Sequence, residues 1–114
     1  MLTREYKLHR KDEFERVKQK GKVFQSENFG ARVLKRSDKG KPRFGFIIST
    51  KISKMAVHRN RVMRAFNEAM RQNLIMIPKG YDFVFLVKRG IMKKTVEEIM
   101  TEIKSFLQRA EFLD

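Results

Sequence analysis

The chain contains no cysteine, so neither a disulfide framework nor a thiolate-ligated metal site is open to it, which suits a reducing compartment. It also lacks a long apolar run: "LIMI" at 74–77 and "FVFLV" at 83–87 are far too short to cross a bilayer. The opening stretch "MLTREYKLHRKDEF" has no apolar signal region. Internal repeats and low-complexity linkers are absent, and 114 residues suffice for one domain, 1–114, with one modest core. Acidic residues are scarce: 13 Asp and Glu stand against 27 Lys and Arg, a net charge of +14. The expectation is a cytoplasmic, soluble, basic domain. Such an excess of one sign repels itself unless a polyanion neutralises it, and nucleic acid is the first candidate, an anionic membrane surface the second.

What is present falls into seven elements. The spacing predicts a first helix from Asp12 to Lys20, with Asp12 as cap, Glu15 at the capping-box position, Lys18 and Lys20 suiting its C-terminal dipole, and Gly21 ending it. Only Phe14, Val17 and Leu8 are available to anchor it, so it is expected to be lightly held. Strands are predicted at about 22–26, 28–36 and 42–49, with "SDKGKP" at 37–42 as a turn. In the third strand Phe44, Phe46 and Ile48 point one way and Gly45 and Ile47 the other; apolar on both faces, it reads as central. A helix from Ala56 to Gln72 carries the stripe Val62, Ala65, Phe66, Ala69 and Met70. A strand at 79–89 follows, apolar on both sides, and then a helix opened by the capping box Thr95–Glu98. Its stripe is Val96, Ile99, Met100, Ile103, Leu107 and Ala110. The fold class is α+β, an αβββαβα sandwich of helices against a small sheet.

The middle helix carries the chemistry. Asn60, Arg64, Asn67 and Arg71 share a face away from the apolar stripe, with Arg59 and Arg61 in the first turn and Lys51 and Lys54 just upstream. From 51 to 72 there are six Lys or Arg and one acidic residue, Glu68. Cations in a first turn oppose the helix dipole, so a local cost is offset elsewhere, and a phosphate backbone would do so. The arginine fork donates two parallel hydrogen bonds to phosphate, and Asn60 can address a base edge or a ribose hydroxyl. The plainer reading is a solvated face that aids solubility. A second basic stretch comprises Arg32, Lys35, Arg36, Lys39, Lys41 and Arg43, with Phe14, Phe24, Phe29 and Phe44 interleaved. Rings on an open sheet face stack unpaired bases, whereas burial is the default for any one Phe; Phe14, on a sparsely anchored helix, is the best exception.

The segment "RFGFIISTKISKMAVHRNRVMRAFNEA" resembles the bacterial ribonuclease P protein subunit in Ser49-Thr50-Lys51, Ala56-Val57 and Arg59-Asn60-Arg61, with Arg64 and Ala69 in register. The likeness extends to "KDEFERVKQKG" at 11–21, Phe29 and "GYDFVFLVKRG" at 80–90. The resemblance implies a four-stranded sheet with a left-handed βαβ crossover, rare under the usual rule. The fold is shared with a small-subunit ribosomal protein and one domain of the translocating elongation factor. It implies a protein that binds a large catalytic RNA and the 5′ leader of precursor tRNA, while that RNA holds the catalytic Mg2+ and removes the leader. No membrane and no protein partner is required. The residues implied for the catalytic RNA are Lys51, Lys54, Arg59, Asn60, Arg61, Arg64 and Arg71; those for the leader are Phe14, Lys18, Arg32 and Asn60. Lys18 and Arg32 stand where many members carry aromatic cleft residues, Met63 replaces a frequent Lys, Asn67 a frequent Arg, and Ser53 a frequent Gly.

The residues agree with that division of labour, because two-metal hydrolysis needs clustered carboxylates and those here read as scattered surface groups. Two rivals stand beside this reading. One is a free-standing nuclease using His9 and His58 as acid and base. The other is a structural, ribosomal-type RNA-binding protein with no part in cleavage.

Overall fold

A computed structural model describes residues 2–48 and 55–109. Ser49, Thr50, Lys51, Ser53, Lys54 and Ala110, named above, lie outside the described residues. The elements follow the expected order: α1 (Lys11–Lys20), β1 (Lys22–Gln25), β2 (Phe29–Lys35), β3 (Arg43–Ile47), α2 (Ala56–Gln72), β4 (Tyr81–Val87) and α3 (Val96–Arg109). Short 3-10 turns at Arg4–Tyr6, Leu74–Met76 and Arg89–Lys93 join them.

The start of α1 departs from expectation. Leu8 is buried and its N–H donates to the Phe44 carbonyl at 2.9 Å, so the chain leaves the sheet immediately afterwards and the helix begins early. Arg10, with extended φ/ψ, becomes the N-cap. The Glu13 carboxylate then accepts the N–H groups of Arg10 at 3.0 Å and His9 at 3.2 Å. Glu13 therefore does what was expected of Glu15, and Asp12 pairs with Arg10 on the surface at 3.2 Å. The α3 capping box forms as its sequence predicts: Glu98 N–H donates to Thr95 Oγ1 at 3.1 Å and Thr95 N–H to Glu98 Oε1 at 2.9 Å.

The sheet order is β1-β2-β4-β3. β1 with β2 and β2 with β4 are antiparallel, while β3 and β4 are parallel, joined across the sheet by α2. β2 and β4 are the inner strands and β3 lies at an edge, against the expectation for β3. Two apolar faces did not require two strand neighbours: Phe44 and Phe46 pack towards α2 while Gly45 and Ile47 meet Leu8 and Phe14 of the N-terminal layer. The outer side of β3 is covered at its start by the Lys7–Phe44 bridge. The 37–42 turn does not form a hairpin either, because β4 lies between β2 and β3. It docks instead on Gly80, whose N–H donates to the Gly40 carbonyl and whose own carbonyl accepts the Arg36 N–H, each at 2.7 Å. Gly80 has φ +83°, a conformation that L side chains resist, and a Cβ there would sit 2.6 Å from the Asp38 carbonyl oxygen.

Three layers result. The inner one packs α2 and α3 on the sheet through Phe29, Phe66, Phe83, Phe85 and Phe106; Phe29 meets Phe66, Phe85 and Phe106 edge-on at 5.4–5.6 Å. On the other sheet face α1, through Val17 and Phe14, and Leu8 just before it rest on Val84, Leu34, Ile47 and Leu86. Few apolar anchors hold α1, as its sequence predicts, but ionic ties supplement them. Arg43 donates to Glu13 at 2.6 Å, Arg16 lies 3.6 Å from Asp82, and Arg32 Nη1 donates to the Lys18 carbonyl at 2.8 Å. Among the described residues no helix is long and apolar enough to cross a membrane.

Candidate nucleic-acid interface

α2 begins without help from its own side chains. Met55 at the N-cap makes no side-chain capping bond and no acidic residue occupies the first turn, so dipole and side-chain charge add at one end. Around that end Asn60 and Arg64 are exposed and Arg59 is half-buried. Arg61 is tied to backbone ahead of α3. Its guanidinium donates to the carbonyls of Lys94 at 2.9 Å and Met92 at 3.3 Å, fastening the entrance of α3 to α2. Both partners are neutral, so the charge of Arg61 remains part of the local field.

Farther along, Arg71 forks onto both carboxylate oxygens of Glu68, bonding Oε1 and Oε2. The pairing keeps the Glu68 carboxyl below its usual range, and cancels much of what Arg71 offers a polyanion. Asn67, expected on the exposed face, is buried at 8% exposure. The outward cationic face is therefore concentrated on the first two turns, and Lys51 and Lys54 lie outside the described residues.

The predicted leader residues gather around α1. Phe14 is half-buried, its ring lying on the backbone of Gly45, where any Cβ would overlap it. Lys18 is half-buried, 3.8 Å from Glu15, and Arg32 on β2 reaches the last turn of α1. A groove of about 210 Å³ runs from Phe14 around the β3 edge to α2, lined also by Lys7, Gly45, Phe46, Met63 and Asn67. Asn60 is not among its lining residues. Phe29 and Phe44 are buried in the core, and Phe24 packs edge-on to Phe106 at 6.0 Å, so burial prevails for these rings.

The second basic stretch is largely turned inward. Asp82 on β4 is fully buried and accepts Arg36 Nη1 at 2.6 Å, Arg43 Nε at 2.9 Å and Arg43 Nη2 at 2.8 Å. Arg36 also bonds Asp38, whose carboxyl it lowers to about 2. Burial works against ionisation of Glu13, but the N–H groups of Arg10 and His9, then Arg43, outweigh it and hold that carboxyl below its usual range. Lys41 pairs with Glu5 at 2.7 Å. Arg16, Arg36 and Arg43 against Glu13, Asp38 and Asp82 form a charge-balanced cluster that joins α1, β2, β3 and β4. The reading of the carboxylates as scattered surface groups thus fails for Asp82. The signal was a lone Asp inside the apolar strand "YDFVFLV", since a charge there must be paired.

Elsewhere a groove of about 690 Å³ between α3 and the β1–β2 loop sets Glu27, Glu97, Glu98 and Glu102 against Lys94 and Arg109, a net negative lining and the wrong sign for a polyanion. Glu102 holds that loop, accepting from Ser26 Oγ at 2.6 Å and Asn28 Nδ2 at 2.7 Å. The His9 ring bonds the Arg4 carbonyl at 2.9 Å, while His58 is exposed in the first turn of α2. Among the described residues no three His, Asp or Glu side chains are placed to hold a metal ion.

Comparison with known proteins bears on this arrangement. Residues 2–111 match the family Ribonuclease P. The chain is 35% identical to the ribonuclease P protein component of Pelotomaculum thermopropionicum, covering 91% of both chains. It is 30% identical to that of Cyanothece sp., covering 99% of this chain and 98% of the other. The solved RNase P protein of Staphylococcus aureus superposes with a TM-score of 0.87 at 21% identity, over 96% of this chain and 98% of that one, a likeness of fold.

Proposed function

Since the chain belongs to the ribonuclease P protein family and so partners the RNA of that enzyme, we propose that it grips the RNA with the N-terminal end of α2 and the 5′ leader of precursor tRNA with the cleft beside α1. One observation carries the reading: α2 opens with no acidic residue and no side-chain cap while presenting Arg59, Asn60 and Arg61, with Arg64 one turn on. Such an end attracts phosphate through dipole and side chain together. Arg64 and Arg59 donate to phosphate oxygens, and Asn60 addresses a base edge or ribose hydroxyl between them. In the cleft Phe14 offers a partly exposed ring for stacking, and Lys18 and Arg32 supply cations where an aromatic would otherwise stack. The Mg2+ ions belong to the catalytic RNA and the substrate phosphates; the described residues offer them no ligand cluster.

The test is reconstitution. Added to a bacterial ribonuclease P RNA, the protein is expected to restore precursor cleavage at low magnesium, with affinity for the RNA falling steeply in salt. Six to ten phosphate contacts correspond to a loss of about 10³–10⁵ between about 50 and 200 mM. Leader removal by the protein without RNA would overturn the assignment of chemistry to the RNA. Failure to stimulate any such RNA, with ribosomal RNA bound instead, would favour a purely structural RNA-binding role.

A further inference from the structure

Asn67 lines both the groove at the β3 edge and a second one, of about 320 Å³, beside Arg61, Arg64 and Val96, and it carries a polar group that the fold leaves unused. Asn67 is buried at 8% exposure and, among the described residues, its Oδ1 has no hydrogen-bond partner. A buried carbonyl oxygen without a donor is costly, so such an atom is retained where something outside the fold supplies the donor. Asn67 lines the same 210 Å³ groove as the partly exposed Phe14 ring, the Gly45 backbone beneath it and Lys7. Beyond the Lys7–Phe44 bridge, no further strand among the described residues covers the outer side of β3. The groove therefore combines one aromatic wall, one unpaired acceptor and one cation, the set that a single unpaired nucleotide needs for its ring, its base edge and its phosphate.

We propose that Asn67 is a specificity-determining residue, its Oδ1 accepting a hydrogen bond from the exocyclic amino group of one unpaired nucleobase held against Phe14. This rests on the reading of the cleft as the leader site and goes beyond it by assigning a base preference. Cytosine presents an amino donor at the position where uracil presents a carbonyl oxygen. Opposite Asn67, cytosine bonds and uracil sets two acceptors against each other. Met63, unbranched and adjacent in the groove, is the side chain that yields to admit the base edge.

The experiment walks a single cytosine through an otherwise all-uridine leader. It measures Kd of the reconstituted holoenzyme for each precursor, with the parent protein and with Asn67→Leu, which keeps the shape and removes the acceptor. At one leader position cytosine is expected to bind roughly tenfold tighter than uridine with the parent, in line with one satisfied against one frustrated hydrogen bond. That preference disappears in Asn67→Leu. The thermal midpoint of the variant should not fall, because an unpaired buried oxygen has been replaced by an apolar group of similar size. A marked loss of stability would show that Oδ1 serves the chain itself and would overturn the proposal. So would a cytosine preference that survives in the variant.

The mature tRNA without a leader separates this proposal from the reading beneath it. If the leader adds affinity but no position distinguishes cytosine from uridine, the base preference alone is wrong. If the leader adds none, the cleft reading itself fails. In that event, about tenfold weaker binding of Asn67→Leu to the catalytic RNA keeps the base-reading groove and gives its occupant to that RNA, and unchanged binding to both RNAs removes it.

Discussion

Replacing Asp82 by asparagine deletes one negative charge from the cluster that joins α1 to three strands, while leaving side-chain volume nearly untouched. The parent carboxylate is fully buried and accepts three N–H groups from Arg36 and Arg43 within 2.6–2.9 Å, with a third cation, Arg16, at 3.6 Å. In the variant one amide edge presents donors to donors, and two arginines lose their shared anion. Removing one partner of a buried ion pair costs about 3–5 kcal/mol. Asp38 and Glu13 remain as anions for Arg36 and Arg43, which places the expectation at the low end, about 3 kcal/mol. For a domain of this size that is a drop in Tm of roughly 10–20 °C. Urea unfolding followed by far-UV circular dichroism at fixed phosphate concentration should show a lower midpoint with an unchanged slope. A midpoint change worth less than about 0.5 kcal/mol, the range of an ordinary surface substitution, would refute the claim that these arginines depend on Asp82.

The two arginines of the α2 signature helix that differ in their contacts should also differ in effect. Arg61→Ala loses the bonds to the Met92 and Lys94 carbonyls and is expected to destabilise by about 1–3 kcal/mol as well as weaken RNA binding, whereas Arg64→Ala should weaken RNA binding with stability unchanged within about 0.5 kcal/mol. Equal thermal midpoints for the two variants would contradict the clamp. Gly45→Ala forces the Phe14 ring off the sheet, so it should cost about 1–3 kcal/mol and lower leader-dependent affinity; unchanged affinity for a leader-bearing precursor would show that Phe14 does not contact it. In acid, the carboxyls of Glu13 and Asp38 are held low in the folded state, so their contribution is present above the ordinary carboxylate range and is lost as pH falls through about 4.5 towards 2. Thermal scans from pH 6 to 2 should decline over that window, and a flat profile would mean that these pairs add nothing.

Element order and type were legible because each helix carries its own stripe and each strand its own alternation. Thr95 and Glu98 even located the start of α3. Strand neighbours were not legible in this way. Phe44 to Ile48 are apolar on both faces because two helical layers sandwich the sheet, and a face pattern is silent about how many strands lie alongside. The start of α1 was misplaced for a related reason: the Leu8–Phe44 bond, made across the fold, decides where the helix can begin. At the interface, the sequence identified Arg59, Asn60 and Arg64 as a basic helix end, but it counted Arg36, Arg43 and Arg71 as equally available. Only the geometry assigns Asp82 and Glu68 to them. Asn67 lay on the correct side of the helical wheel and was still buried, in the wall of a groove that it shares with Lys7 and Phe14.

The strand that completes the sheet is the last one made. β3 finds its only strand neighbour in β4, and β2 finds its second one there, so a nascent chain still short of Val87 can close no more than the β1–β2 ribbon. Until then 21 of its 27 arginines and lysines emerge ahead of a complete sheet beside ribosomal RNA, a competing polyanion. Folding of such a topology is governed by distant pairings and is correspondingly slow and cooperative. Synthesis of this protein thus sets a race between collapse around one late strand and capture of a basic, unfinished chain by the machine that makes it.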